Sequence, residues 1–287
     1  MIDVSIVLVS FNMQRELPRT LFSLSKSYQL VQESLSVELI VVDNGSTPTP
    51  NIDEFSNLNI DLQIISCRTH SKSPVFAINQ GLEYAKGKLI GVWIDAARLA
   101  SPGLIQACFS ASKMAARPVI ATLNWQLGPQ RQFLAPQRGY DQRVEDELLD
   151  SIDWPQQPYR LFDISIPEVK EMPTGSLLES NALFMPRELW NELGGYDVAF
   201  DEPGGGAVNP DMLIRALNLP RTQLIRIDGE ATFHQIHGGL TTSGPEQAMK
   251  VLKDSSAKYY KLRGYPLRHI QEVGLVYNAR PQRGQAD

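Results

Sequence analysis

Four short apolar runs open the chain: VSIVLVS at 4–10, VELIVV at 37–42, IDLQII at 60–65 and KLIGVWI at 88–94. Runs this rich in Val and Ile predict strands buried on both faces, as in a parallel sheet. Between them Leu17, Leu21 and Leu24 share one helical face, as do Val75, Ile78, Leu82 and Ala85, which predicts crossover helices packed on that sheet. A further helix is expected after Ser101-Pro102, with serine as N-cap and proline in the first turn, ending near Arg117-Pro118, where VIATLN resumes a strand. From Trp125 to about Gly175 the pattern breaks. Gln, Pro and aromatic residues surround one acidic helical stretch, VEDELLDSI, which predicts an inserted lobe or lid. Regular structure returns with SLLESNALFM as a strand, a helix from Pro186 to Leu193, a GGYD turn and a Gly-rich loop, EPGGGAVN. A helix at about 210–217, a strand QLIRI at 223–227, the segment ATFHQIHGG, a terminal helix VLKDSSAKYYKLR and a frayed tail PQRGQAD follow. The expected fold class is α/β, with a Rossmann-like, mostly parallel sheet and flanking helices. Its parts are a ligand-binding half at 1–124, the lobe at 125–175, the other half of the same domain at 176–245, and a C-terminal helix and tail at 246–287.

Composition narrows the functional classes. With 287 residues and 43% hydrophobic content the chain can bury a large core without disulfide or metal staples. The net charge is −5 and the basic residues are scattered, which argues against a nucleic-acid partner. Cys67 and Cys108 lie in unrelated contexts without metal-ligand spacing, so both read as reduced structural thiols. No apolar run reaches the roughly 18 residues of a membrane span, and no basic leader precedes Asp3. The expected location is the cytoplasm, with the cytosolic face of a membrane as the alternative.

Ligands of parallel α/β sheets sit at the carboxyl ends of strands, so polar residues just after the runs are the candidates. Ser10-Phe11-Asn12 and Asp43-Asn44-Gly45-Ser46 form the first cluster. Asp43 can accept a hydrogen bond from an imide or a ribose hydroxyl, yet DNGS is equally an Asx turn. Asp95, ending a strongly apolar strand in WIDAAR, reads as a ligand-binding acid or as a cap on the next turn. His234 and His237 precede glycines that permit close approach of a phosphate or metal, although a lone histidine is more often structural.

The blocks VSIVLVSFN, VELIVVDNGS, AINQGLEYAKGKLIGVWID, ELGGYD and FHQIHGG, in that order over about residues 4–240, resemble glycosyltransferase family two. The resemblance implies the GT-A fold, with the 125–175 insert as an acceptor-side lobe. It also implies inverting transfer of a hexose-like sugar from a nucleotide-diphosphate donor, by default a UDP-sugar, to a glycan or small-molecule hydroxyl. It places Ser10 and Asn12 beside the nucleotide, Asp43 at the base and Asp95 as first acid of a DxD-type motif, and it counts Lys72, Asn79 and Arg98 among the donor-binding residues. It sets Asp95 and His237 as ligands of Mg²⁺ or Mn²⁺.

Two departures qualify that picture. The second acid of the motif is Ala97, so the metal is either weakly held or dispensable, with Arg98, Lys72 and His237 available to neutralise a departing diphosphate. Arg98 also reads as a solvated surface residue. The family's Glu-Asp pair falls in register with Val208 and Asn209. A displacement at an anomeric carbon still needs a carboxylate base, for which Asp211 and then Asp201 are nearest, while Asp211 equally suits a helix N-terminus. A catalytically degenerate nucleotide-sugar-binding or scaffold protein is the competing function. A nucleotidyltransferase would need paired metal-binding acids and a basic triphosphate loop, and neither is visible.

Overall fold

The Val/Ile-rich runs pair as parallel strands because both of their faces are covered. In a computed structural model, which describes residues 1–69, 71–134, 136–169, 171–238 and 244–279, β1 (Val4–Ser10) lies between β2 (Val37–Asp43) and β4 (Leu89–Trp93), and β3 (Asp61–Ser66) flanks β2. Successive β1 side chains enter opposite apolar layers. Ile6 and Leu8 join Leu17 and Leu21 of α1 (Glu16–Ser23) and Leu104 of α3 (Leu104–Ala111); Val7 and Val9 join Ile78 of α2 (Val75–Tyr84). That alternation is the period-two geometry of a strand buried on both sides.

The sheet continues through β8 (Ala182–Pro186), β6 (Pro118–Leu127), β9 (Gln223–His234) and β10 (Leu275–Asn278), in the order β10-β9-β6-β8-β4-β1-β2-β3. Short β5 (Arg98–Ala100) adds to β9 and β7 (Ser165–Pro167) to β6. β8 is antiparallel to both β4 and β6, with Ala182 beside Trp93. Its start therefore shares an edge with the carboxyl ends of its neighbours. Helices α5 (Arg187–Leu193) and α6 (Val208–Leu217) cover the second face, and α7 (Pro245–Arg263) packs Tyr259 into the same layer.

Several elements differ from the sequence reading. The N-cap of α3 is Gly103, and the helix stops at Ala111 rather than near Arg117. Ser101 instead exchanges hydrogen bonds with Ala231, its Oγ accepting from the amide at 2.8 Å. β6 runs through the expected boundary at 124/125, so the lobe grows out of the sheet and returns to it through β7. Of SLLESNALFM only the last part is strand, and the QLIRI and ATFH segments form one continuous β9. β10 was not anticipated. The tail at 281–287 and Gly239 lie outside the described residues. Among the described residues no helix is long and apolar enough to cross a membrane, and Cys67 and Cys108 are unpaired.

The lobe is fastened next to the histidines. In α4 (Gln142–Ser151), capped by Asp141, the buried Glu145 accepts hydrogen bonds from the Ile236 amide at 2.8 Å, from Arg15 at 3.1 Å and from the Tyr140 hydroxyl at 3.2 Å. Packing beneath the sheet is equally close: a Cβ on Gly81 of α2 would stand 2.3 Å from Val7 Cγ1 and 3.0 Å from Val42 Cγ2. Gly81→Ala should therefore destabilise the fold by about 1–3 kcal/mol in urea unfolding, despite the helix propensity gained. An unchanged or raised midpoint would show that α2 lifts from the strands at little cost.

Candidate functional site

Where the parallel strands end, a cavity of about 890 Å³ opens, lined among others by Phe11, Asn12, Asn44, Gly45, Lys72 and Asp95, and further by Arg98, Glu179, Asn181, Asn209, His234 and His237. Ser10 and Asp43 end β1 and β2 in register, and both are buried below this surface. The Asp43 carboxylate accepts the amides of Ser46 at 3.2 Å and Gly45 at 3.3 Å, the Asx-turn arrangement. What the turn offers the cavity is Asn44 and Gly45. Asn12, at φ 52°, laces the two loops together: its amide donates to Ser46 Oγ at 2.8 Å and its Oδ1 accepts from Thr47 at 2.9 Å. Lys72 is exposed at the rim.

The deep end of the cavity is built on charge. Arg98 is 5% exposed, so it is no surface arginine. Its Nε and Nη2 donate to Asp95 Oδ2 at 3.1 and 2.9 Å, and Nη1 donates to Asn124 Oδ1 at 2.7 Å. Asn124 donates onward to Glu168 at 2.6 Å. Burial would raise the Asp95 carboxyl, but the guanidinium, followed by the two imidazoles, overcomes it and holds the group below the usual carboxylate range. His234 stands opposite Arg98 in the β5–β9 pairing, which brings its ring to Asp95. Burial, and then Arg98, push the His234 imidazole well below its ordinary value.

Asp95, His234 and His237 place three donor atoms within 4.8 Å of one another. The two Nε2 atoms are 3.2 Å apart, about the separation of two imidazoles on a common ion at roughly 2.0–2.1 Å. This set fits a divalent cation, and two nitrogens with one oxygen suit a transition ion better than Mg²⁺. Ala97 is fully buried within the apolar layer, where a second acid would itself be buried.

Three sequence candidates lie elsewhere. Asp211 is 1% exposed and gripped by Arg263, Nε to Oδ1 at 2.5 Å and Nη2 to Oδ2 at 2.8 Å, while Arg263 also holds Asp197 at 2.6 Å. It does not line the cavity and joins α6 to α7. Asp201 is exposed and paired with Lys258, which also meets Glu202 at 3.2 Å. Asn79 binds both the amide and the carbonyl of Tyr196 at 2.8 Å, holding the GGYD turn against α2. The sequence reading missed Glu179 and Asn181, because β8 is antiparallel and its start, not its end, meets the ligand edge. Burial, then Glu168, push the Glu179 carboxyl up to about 7.

The comparisons with known proteins agree with this architecture. Its fold is GT-A. Residues 5–122 match the family model for glycosyl transferase family 2. The crystal structure of S. aureus TarS matches with a TM-score of 0.55 at 14% identity, covering 90% of this chain and 40% of that one. A Pyrobaculum calidifontis mannosyltransferase, in complex with GDP-Man and Mn²⁺, matches at 0.54 and 17%, covering 90% of this chain and 64% of its own. Glucosyl-3-phosphoglycerate synthase from Mycobacterium tuberculosis, in complex with Mn²⁺, UDP and glucosyl-3-phosphoglycerate, matches at 0.53 and 17%, covering 92% and 81%. The chain thus spans less than two thirds of the first two proteins. No curated protein matches its sequence.

Because Asp211 forms a buried ion pair, Asp211→Ala should lower unfolding free energy by on the order of 2–3 kcal/mol, allowing for Arg263's partial exposure. Urea unfolding checks this. Full stability with abolished turnover would return Asp211 to the chemistry.

Proposed function

We propose that the protein is a glycosyltransferase that moves a sugar, with inversion, from a nucleotide-diphosphate donor to an acceptor hydroxyl. The observation that carries this reading is the convergence of Asp95, His234, His237 and Arg98 in one large cavity at the carboxyl ends of parallel strands. In this reading Asn12, Asn44 and Gly45 hold the nucleoside, with Asp43 and Ser10 shaping their turns from below. Phe11, 53% exposed at the cavity wall, offers a face for the base. The Gly238 backbone, at φ 74° beside His237, lets a diphosphate approach closely. Arg98 keeps Asp95 ionised and oriented, and Lys72 supplies a mobile positive charge at the rim.

Asp95, His234 and His237 would hold the cation, with Mn²⁺ favoured over Mg²⁺ by the imidazole donors. When bound, that ion supplies charge neutralisation for the leaving diphosphate. Single displacement is favoured over a covalent intermediate because Asp95 is committed to Arg98 and the imidazoles. UDP is the default nucleotide through the family resemblance, and the unpaired cysteines suit the cytoplasm. The acceptor hydroxyl belongs to a glycan or small molecule reaching the cavity past the lobe and the 200–208 loop.

Isothermal titration with UDP and GDP, each with Mn²⁺, Mg²⁺ or EDTA, tests the site. Nucleotide binding should be strongest with Mn²⁺ and weaken about tenfold or more in EDTA, and His234→Ala should remove that metal dependence while leaving the thermal transition near wild type. Absence of nucleotide binding under every condition would contradict the reading. Nucleotide release from sugar donors with an acceptor panel separates an enzyme from a binding-only protein.

A further inference from the structure

Displacement at the anomeric carbon requires a group that takes the acceptor's proton, and every acid considered above except one is already committed. Asp211 is held by Arg263, Asp201 and Glu202 by Lys258, and Asp43 by its own turn. Among the described residues two carboxylates line the cavity, Asp95 and Glu179, and Asp95 belongs to Arg98 and the imidazoles. At the start of α6 the cavity is lined by Val208 and by Asn209, an amide without basicity, whose Nδ2 donates to Asn181 Oδ1 at 3.2 Å. Glu179 stands on the same β8-side wall, close to Asn181, and forms no ion pair with a cation among the described residues.

Resting on the transferase reading above, we propose that Glu179 is the proton acceptor for the incoming hydroxyl. The acceptor O–H bond breaks and its proton passes to the Glu179 carboxylate. The acceptor oxygen bonds to the anomeric carbon, whose bond to the β-phosphate oxygen breaks, and that electron pair leaves on the nucleoside diphosphate. No further reactant is needed. The surroundings favour a base: burial, then Glu168 and Asp95, raise the carboxyl, Tyr196 is the neighbouring phenol, and Arg98 and Asn181 oppose them only in part, so the carboxyl binds a proton more readily than a solvated glutamate. Asn181 and Asn209 form an amide pair beside it that can orient an acceptor hydroxyl. Asn209 Oδ1, buried and without a partner among the described residues, is free to accept such a hydrogen bond.

The test uses the full chain, its Glu179→Gln and Glu179→Asp variants, and UDP-glucose, UDP-N-acetylglucosamine and GDP-mannose with Mn²⁺. Titration with UDP and GDP should give affinities within about twofold of wild type in both variants. Nucleotide release should fall about 10²–10⁴-fold in kcat for Glu179→Gln, while Glu179→Asp, which keeps a carboxylate, retains at least about tenfold more. A Glu179→Gln rate within about threefold of wild type overturns the assignment and leaves the transferase reading standing. Equal losses in the two variants, or loss of nucleotide affinity alongside turnover, also overturn it, because Glu179 would then shape the site. A wild-type protein that binds nucleotide yet releases none from these donors overturns the transfer and the proton-acceptor role together.

Discussion

The buried pair between Asp95 and Arg98 holds the deep end of the cavity, and most of the site is organised around it. Arg98 reaches Asp95 with two nitrogens and Asn124 with a third, so the guanidinium joins the end of β4 to β6. Through Asn124 the network extends to Glu168, at the end of the lobe's return strand. Because Arg98 pairs with His234 across β5 and β9, the residue that neutralises Asp95 also positions the imidazole beside it. Removing either partner would strand a charge in a poorly solvated place, at a cost of several kcal/mol. The pair is therefore both an architectural joint and the reason a single carboxylate stays ionised among two histidines.

A second constraint comes from the far end of the chain. Arg263 and Lys258 of α7 hold Asp211, Asp197, Asp201 and Glu202, which fixes the loop between the GGYD turn and α6. Val251 of the same helix lines the cavity. The C-terminal helix thus shapes one wall of the cavity. Acids engaged by these cations serve the architecture, and the acids that face open space are the ones left for chemistry.

The strands β1, β2 and β4 were legible because buried parallel strands write continuous apolar runs, and α1 and α2 because their apolar spacing is helical, whereas half-buried β3 left only the weaker run IDLQII. β5 was not: three residues on a sheet edge leave no periodic signal. β10 is mostly exposed, so its sequence LVYN lacks a distinctive context. In the site, Asn12, Asp95, Arg98 and His237 could be picked out because they follow strands, and the structure brings them to one cavity with Lys72. Asp211 and Asp201 looked available because the cations that hydrogen-bond them, Arg263 and Lys258, lie more than fifty residues away in sequence. Glu179 was invisible to a rule that looks after strands, since in antiparallel β8 the ligand edge comes first. His234 was noticed, but its approach to Asp95 depends on the pairing with β5.

The central claim is that one cavity holds a nucleotide diphosphate against a cation bound by Asp95, His234 and His237. Anomalous diffraction at the manganese edge from crystals grown with UDP and Mn²⁺ tests it most directly. The account predicts a single anomalous peak within coordination distance of those three side chains, with the diphosphate on the peak and the uracil between Phe11 and the Asn44-Gly45 turn. A diphosphate bound elsewhere, or a peak remote from His234 and His237, would contradict it.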